Sequence, residues 1–296
     1  MKILLLLSGL VLTCWFPVAE ARTDVNEVRE AAAEGEVEVN NLAGEIRVQG
    51  WDKNRIEVSG YLGDGVERLD IVQDGKHTLI KVVYPKNSRN VKGSKLDVRL
   101  PQASDLSVNG VSADISASGV TGVQRLQTVS GDVETDVSGS DVEIKAVSGD
   151  LEVTGSELPA LLTLTTVSGD ADVRKIAGEL EMSTVSGDLD VHAGILSRAR
   201  VKTTNGDITL VGLLDEGGRM EAKTINGDVE VSLEEPENLS VEIETFNGDI
   251  ETCFDAEIQR KNKYGPGRYL RYETGTGSRK VMIDTLNGDI DFCMGK

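Results

Sequence analysis

The chain has 296 residues and a formal net charge of −19 at pH 7, with 39% hydrophobic and 4% aromatic residues. A surface this acidic repels phosphate backbones, so composition argues against a nucleic-acid partner. The charge is also what keeps many exported proteins soluble, and it identifies no other partner by itself.

The first 21 residues have the pattern of a secretory signal peptide. One lysine precedes an apolar run at residues 3–12, and Ala-Glu-Ala closes the segment at residues 19–21. We therefore predict cleavage after Ala21; a lipoprotein signal ending at Cys14 is the alternative, although a threonine precedes that cysteine where a smaller residue is expected. No second apolar run of membrane length follows. The sequence predicts an exported protein, in the periplasm or at the cell surface, without an integral membrane segment after cleavage.

Residues 22–108 are predicted to form an N-terminal β cap region. The segment at 24–36 is a candidate helix, and five alternating segments after it indicate strands: EIRVQGW, RIEVSGY, RLDIVQD, TLIKVVY and KLDVRLP. Repeat proteins expose strand edges at both ends, which invites aggregation unless the edges are covered. We therefore expect a small antiparallel β unit here, joined to the repeats that follow.

From residue 109 to 296 one turn motif recurs, as in AVSGDLEV at 146–153 and TINGDVEV at 224–231. The spacings between successive aspartates of the motif are 18, 20, 18, 19, 21, 21 and 40 residues, and Asp114 is a degenerate first member. The eight aspartates are Asp132, Asp150, Asp170, Asp188, Asp207, Asp228, Asp249 and Asp289. The last spacing equals one period plus an insertion, at about 254–280.

Each repeat holds two short strands with one buried face. Apolar residues lie six before and one after each aspartate, the residues three after it are mostly Val or Leu, and polar residues lie between them. The Ser-Gly or Asn-Gly before each aspartate supplies the positive φ angle of a tight corner. A hairpin meander and a parallel solenoid both fit this pattern. The regular period and the chemically alike equivalent positions favour an all-β parallel β-solenoid (β-helix) of about nine 18–21-residue coils.

The order of these segments resembles the exported putative-adhesin family of β-strand-repeat domains, a family of unknown function. The resemblance rests on the G-D-x-x-V coils, on GEVEVNNLAGEIRVQGWDKNRIEVSGYLG at 35–63 and on LDVRLPQASDLSVNGVSADI at 96–115. It covers nearly the whole chain after the signal peptide. It implies a β-solenoid at the cell envelope and brings no catalytic residues.

The aligned aspartates would stand about 4.8 Å apart in stacked coils, which is costly for charged and unpaired carboxylates. Each carboxylate can accept hydrogen bonds from the backbone N–H groups of its own turn, and we expect this structural role. The alternative is Ca²⁺ bound between coils by carboxylate and carbonyl oxygens. We predict no cofactor and no metal site, with Ca²⁺ as the alternative.

The excursion near the C-terminus carries a cluster of cations and tyrosines around a Gly-Pro-Gly tip. On an acidic chain this cluster is a candidate binding finger for phosphate or carboxylate groups of the envelope or for an acidic protein. The alternative is a hairpin that folds back on the chain's own acidic side. The candidate binding residues are Arg260, Lys261, Lys263, Tyr264, Arg268, Tyr269, Arg271 and Tyr272.

Cys253 and Cys293 each lie four residues after their aspartate. Stacked coils would place them one coil apart, within the Cα separation that a disulfide tolerates, if the excursion leaves the stack. We therefore predict a disulfide between them, as an oxidising compartment permits.

The sequence favours a non-enzymatic envelope protein, an adhesin or scaffold that presents its solenoid surface to an envelope component or a protein. It shows no phosphate loop, no His-Glu-x-x-His motif and no Cys and His metal set, and it contains only two histidines. The alternative is a Ca²⁺-dependent carbohydrate-binding or polysaccharide-lyase-like β-helix. The identity of the partner and the oligomeric state are open at this point.

Overall fold

A computed structural model describes residues 22–86, 92–234, 237–261 and 265–295. These residues form strands and turns, and no helix occurs among them. The expectation of a helix at 24–36 is therefore wrong. Thr23–Glu30 is a strand that pairs antiparallel with Arg55–Leu62 and covers the edge of that strand. Pairing with an open edge outweighs the helix preference of the alanines that follow.

The middle of the chain stacks one repeat on the next in parallel. The residues just before each turn form one sheet, and the residues just after it form a second. Ile144 pairs with Leu126, and Leu151 pairs with Val133, so equivalent residues of successive coils are neighbours. A parallel, solenoid-like arrangement is therefore confirmed over a hairpin meander. Its strands are β8 (Gln124–Gln127), β9 (Val133–Val137), β10 (Val142–Lys145), β11 (Leu151–Gly155), β12 (Pro159–Thr165), β13 (Ala171–Arg174), β14 (Ala177–Ser183), β15 (Leu189–Lys202), β16 (Ile208–Lys223) and β17 (Val229–Leu233).

The N-terminal region continues this stack and is not a separate antiparallel unit. Strand β2 (Glu36–Trp51) pairs in parallel with β7 (Asp105–Ser118) on one side. On the other side it pairs in parallel with β5 (His77–Val83) and β6 (Ser94–Pro101). Antiparallel pairing is confined to β1 with β3, β3 with β6 and β4 with β5. The reason is that Val39 and Ile46 face inward at the positions that Val108 and Ile115 occupy in the next coil. The strands are β1 (Thr23–Glu30), β2 (Glu36–Trp51), β3 (Arg55–Leu62), β4 (Arg68–Asp74), β5 (His77–Val83), β6 (Ser94–Pro101) and β7 (Asp105–Ser118).

At the C-terminal end the coils do not stack in chain order. The last coil in sequence consists of β22 (Arg279–Asn287) and β23 (Ile290–Met294). On one side it pairs with β16 and β17. On the other side it pairs with β18 (Leu239–Asn247) and β19 (Ile250–Thr252). It is thus inserted between two coils that precede it in the chain. The strands are β18 (Leu239–Asn247), β19 (Ile250–Thr252), β20 (Gln259–Arg260), β21 (Arg268–Glu273), β22 (Arg279–Asn287) and β23 (Ile290–Met294).

The predicted excursion covers the end of the solenoid. Strand β21 pairs antiparallel with the otherwise open edge of β18, and β20 pairs with β21. Leu270 of β21 is fully buried. The predicted disulfide between Cys253 and Cys293 is present, with their Cα atoms 5.0 Å apart. It joins the outermost coil to the inserted one.

The core is a narrow band of side chains between the two parallel sheets. Ile144, Val153 and Val231 are fully buried, and Phe292 is the largest of the buried side chains. A threonine lies four residues before seven of the eight motif aspartates, with Ala146 in the remaining repeat, and each of these threonines is buried. Its hydroxyl donates to a backbone carbonyl; Thr224 Oγ1, for example, donates to the Gly206 carbonyl at 3.1 Å. Burial of one large aliphatic side chain contributes about 1.5–3 kcal/mol, so the repeated columns are the main source of stability.

Candidate functional site

The turns of successive coils lie so close together that each needs its glycine. Gly149 has φ +131°, and a Cβ atom added to it would lie 2.1 Å from the Gly131 carbonyl oxygen of the neighbouring coil. Gly227 has φ +151°, and its Cβ would lie 2.0 Å from the Gly206 oxygen. A side chain at either position would separate the coils. The close stacking aligns the residues that flank each glycine into columns along the solenoid.

The motif aspartates form a hydrogen-bonded ladder between coils. Each carboxylate Oδ1 accepts a hydrogen bond from the backbone N–H of the aspartate in the next coil, at 2.7–3.1 Å, from Asp114 through to Asp289. This differs from the expectation that each aspartate would bond the N–H groups of its own turn. The stacked turns bring the next coil's N–H group within reach, whereas pairing within one turn would leave that group without an acceptor.

The coils of β18 with β19 and β22 with β23 complete the aspartate ladder, and they also complete a column of asparagine side chains beside it. Asp249 is the last donor of the ladder, since its N–H bonds Asp289 Oδ1 at 2.8 Å, and its own carboxylate pairs with Arg268 of β21. The side-chain amides of Asn226, Asn287 and Asn247 each donate to the asparagine of the coil below, at 2.8 Å. The side chains of these asparagines therefore form a second ladder. Both ladders support a structural role for these turn residues.

A groove of about 480 Å³ runs beside the ladder and is lined by acidic residues, including Asp150, Glu152, Asp170 and Asp172. Within the described residues, no group of three or more His, Cys, Asp or Glu side chains has the arrangement of a metal site. One oxygen of each ladder carboxylate from Asp114 to Asp289, Oδ1, is engaged by a backbone N–H group of the next coil. Ca²⁺ binding stays the alternative hypothesis from the sequence.

Three cations of the candidate finger lie against acidic residues of the outermost coil. Lys261 pairs with Glu244, Arg268 with Asp249, and Arg271 Nη2 with Glu242 Oε1 at 2.8 Å. The ion pair with Glu242 raises the pKa of Arg271 above its ordinary value. These contacts are those of a hairpin that folds back on the acidic side of the chain, which was the alternative hypothesis.

The remaining finger residues divide between packing and exposure. The Tyr272 ring lies 4.6 Å from the Phe254 ring, and the Tyr269 hydroxyl bonds Gln259. Arg260 is exposed and lines a shallow depression next to Phe246. Lys263 and Tyr264 lie outside the described residues. Binding by this finger stays a prediction, in which Arg260 is an exposed cation that forms no ion pair with another described residue.

An exposed apolar column runs beside the ladder, and the sequence analysis did not identify it. These side chains, here called the apolar ridge, lie three residues before each motif aspartate or at the equivalent place in β2, and each is 40–50% exposed. Pairing of the residues that follow them places them in one line, with Thr204 as the single polar member of the row. The ridge consists of Leu42, Val111, Val129, Val147, Val167, Val185, Ile225, Leu286 and Phe246. The recurrent Val or Ile between Thr and Ser or Asn was its signal in the sequence.

The two histidines lie on separate strands and each faces one carboxylate. His192 Nε2 lies 3.1 Å from Asp190 Oδ1, and His77 Nε2 lies 3.7 Å from Glu38 Oε2. The His192 pair is about half exposed and the His77 pair about one-third exposed, so each is a contact on the sheet surface.

Three solved structures cover most of this chain at low identity. They are a putative adhesin from Bacteroides fragilis (13% identity, 92% of this chain, 98% of that one, TM-score 0.40), a putative lipid binding protein from Parabacteroides distasonis (10%, 90%, 96%, 0.48) and a putative adhesin from the same organism (11%, 92%, 98%, 0.46). A search among curated proteins finds no match. In the described residues, no helix is long and apolar enough to cross a membrane.

The turn ladder extends from Asp114 to Asp289, and the match to a family model covers almost all of the described residues. The model for Toastrack DUF4097 matches residues 36–292, which confirms the resemblance to the putative-adhesin family, and the chain belongs to the Toastrack DUF4097 family.

Proposed function

We propose that the chain is a non-enzymatic binding protein of the cell envelope, an adhesin or scaffold that holds an elongated partner along the apolar ridge. Large exposed apolar surfaces on soluble proteins usually mark interaction sites. The ridge has a regular spacing of about 4.8 Å per coil and a length of about 43 Å. A linear array suits a linear partner, whereas a small-molecule enzyme needs a concave site.

The ridge carries this proposal because its side chains are free to contact a partner. Val147, Val167 and Val185 are 47–48% exposed, and Thr204 occupies the equivalent position of another coil. The core therefore does not require an apolar side chain at this turn position, and its recurrence in nearly every coil favours contact with a partner. The ridge ends at Phe246, next to the exposed Arg260, so the candidate finger would extend the same contact surface.

Export is part of the proposal and rests on the predicted signal peptide. The disulfide supports it, because such bonds persist in oxidising compartments. N-terminal sequencing of the protein recovered from the envelope fraction should give Arg22 as the first residue. A chain that starts at Cys14 and carries lipid, or an uncleaved cytoplasmic chain, would contradict this part of the proposal.

The ridge is tested by retention of native envelope material on immobilised protein. We expect a triple variant, Val147→Ser with Val167→Ser and Val185→Ser, to lose material that the wild-type chain retains. The matched control replaces three other exposed apolar residues, Val72, Leu158 and Ile195, each 55% exposed, by serine. Loss in the ridge variant alone supports the proposal. Equal retention by the wild-type chain and both variants would mean that the partner binds elsewhere than at the ridge.

The finger is tested in the same assay with Arg260→Ser, which removes a cation without breaking an ion pair to the outermost coil. We expect partial loss of retained material, because Arg260 lies beside the end of the ridge. Unchanged retention would assign the finger to covering the solenoid end only.

A further inference from the structure

We infer that Arg198, Arg219 and Lys280, here called the basic column, form a binding site for a phosphoryl group. The three residues lie side by side on three successive coils: Arg198 of β15 pairs with Arg219 of β16, which pairs with Lys280 of β22. Neighbouring strands in a sheet are about 4.8 Å apart, so three cations are held within about 10 Å of one another. This site is on the sheet before the turn and is separate from the apolar ridge.

The basic column lacks the charge compensation that adjacent columns have. Arg198 Nη1 lies 4.0 Å from Glu179 Oε2, and both side chains are more than half exposed. Among the described residues, no carboxylate oxygen lies within 4.0 Å of the charged nitrogens of Arg219 or Lys280. Like charges at this spacing repel one another, so a bound anion would stabilise the column.

The cations further along the same strands are paired with carboxylates of neighbouring coils. Two residues along the strands, Arg200 Nε lies 3.1 Å from Glu221 Oε2 and Lys202 Nζ lies 2.6 Å from Glu221 Oε1. Further along, Lys223 Nζ lies 3.2 Å from Asp284 Oδ2. The chain therefore pairs these cations with carboxylates of neighbouring coils. The basic column differs, because within the described residues Arg198 has one long contact to a carboxylate, and Arg219 and Lys280 have none within 4.0 Å.

A depression of about 480 Å³ lies over the basic column, a volume within the range of small-ligand sites. Ser240 follows Lys280 on the next coil and adds a hydroxyl to the same row. Met282, 51% exposed, forms an apolar part of the wall. The site thus offers positive charge, a hydroxyl and an apolar contact together.

The chemistry selects a compact doubly charged oxyanion. Guanidinium groups bind phosphoryl oxygens in pairs, and the ammonium adds a point charge. Glu221 and Glu242 also line the depression, and each pairs with a cation outside the basic column. The uncompensated positive charge is therefore confined to the column and does not extend along a longer polyanion. The ligand is therefore a single phosphoryl group, on a soluble phosphate ester or on a lipid headgroup.

The first test is titration of the full chain with inorganic phosphate and pyrophosphate at low ionic strength, followed by calorimetry or NMR. The site variant is Arg219→Gln with Lys280→Gln. The control is Arg125→Gln with Lys76→Gln, which removes the same charge from exposed cations elsewhere. We expect saturable binding that weakens about tenfold or more in the site variant and is unchanged in the control. Equal weakening in both variants would show non-specific charge attraction and overturn the proposal.

The second arm separates the two sources of the phosphoryl group. Vesicles of phosphatidylcholine, with and without phosphatidic acid, are mixed with the same three proteins and sedimented. Binding to phosphatidic acid that depends on the basic column assigns a headgroup, whereas binding to pyrophosphate alone assigns a soluble ester. Absence of column-dependent binding in both arms overturns the proposal.

Discussion

The backbone N–H of Asp289 donates to Asp228 Oδ1 at 2.7 Å across 61 positions of sequence. This bond continues the ladder through the inserted coil, although one whole coil lies between the two residues in the chain. We expect Asp228→Ala to lower the free energy of unfolding by about 1 kcal/mol, because the Asp289 N–H loses its acceptor. Asp228→Asn keeps the Oδ1 acceptor and should cost less. Denaturation midpoints measure the difference, and equal losses in the two variants would contradict the ladder's role.

The disulfide should contribute measurably to stability. Cys253 and Cys293 are 40 residues apart, and by the chain-entropy relation a loop of this length corresponds to about 4 kcal/mol. We expect the double variant Cys253→Ser with Cys293→Ser to melt at a lower temperature than the oxidised chain. Reductant should lower the melting temperature of the wild-type chain and leave the variant unchanged. A reductant-sensitive variant would show that the effect has another origin.

The close approach of the turns predicts that Gly227→Ala is strongly destabilising, by about 3 kcal/mol, because its Cβ would lie 2.0 Å from the Gly206 oxygen. Gly217 is the control: its φ is +79°, but no atom lies within 4 Å of an added Cβ. Gly217→Ala should cost about 1 kcal/mol from backbone conformation alone. Chemical denaturation of the two variants compares them directly, and similar losses would mean that stacking contacts do not limit this turn.

Strand β21 covers the edge of β18, so we expect copies of the chain to associate through that edge when β21 is detached. Leu270→Asp places a charge at a fully buried position and should detach β21, exposing the edge strand to other copies. We expect a concentration-dependent rise in mass by light scattering. Ile258→Asp, at a position 38% exposed in the same segment, should leave the mass unchanged. Association in both variants, or in neither, would contradict the capping role.

The lowered pKa of Glu221 leads us to expect that this residue makes the stability of the fold depend on pH in the acidic range. Hydrogen bonding to Lys202 and the charges of Lys202 and Arg200 hold the pKa of Glu221 below its ordinary value of 4.5. A carboxyl whose pKa is lowered by folding stabilises the fold above its unfolded pKa, and that contribution is lost as the pH falls through the folded pKa. Glu221→Gln should therefore reduce the loss of stability below about pH 4.5. The pH dependence of the denaturation midpoint tests this, and identical curves for both proteins would exclude the contribution.

The coils could be predicted from the sequence because every stacked position repeats at a nearly constant spacing. The stacking order of the last two coils could not. Cys253 and Cys293 would be one coil apart in either order, and a spacing of 40 residues fits both. Only the pairing of β22 with β16 distinguishes them.

The arrangement of exposed side chains was harder to predict than the core. A buried position must be apolar, whereas an exposed position accepts many residue types, so its sequence does not indicate which side chains lie next to it. The apolar ridge lies in the repeated motif itself, yet its valines resemble core residues by composition. The basic column is invisible in the chain order, because Arg198, Arg219 and Lys280 become neighbours only through pairing between coils. The finger was correctly seen as a cluster of cations, and its acidic neighbours required the fold.

The inserted coil sets an order on how the molecule can be completed. The chain lays down the outermost coil, β18 with β19, before it reaches the residues that separate that coil from β16 and β17. During synthesis or translocation, β18 therefore has no permanent neighbour on its inner side until the last strand has emerged. A chain that stops short of Arg279 would lack a middle layer and not merely an end, so truncation should act as an all-or-none defect. Strand β22 is thus needed to join β18 to the coils before it.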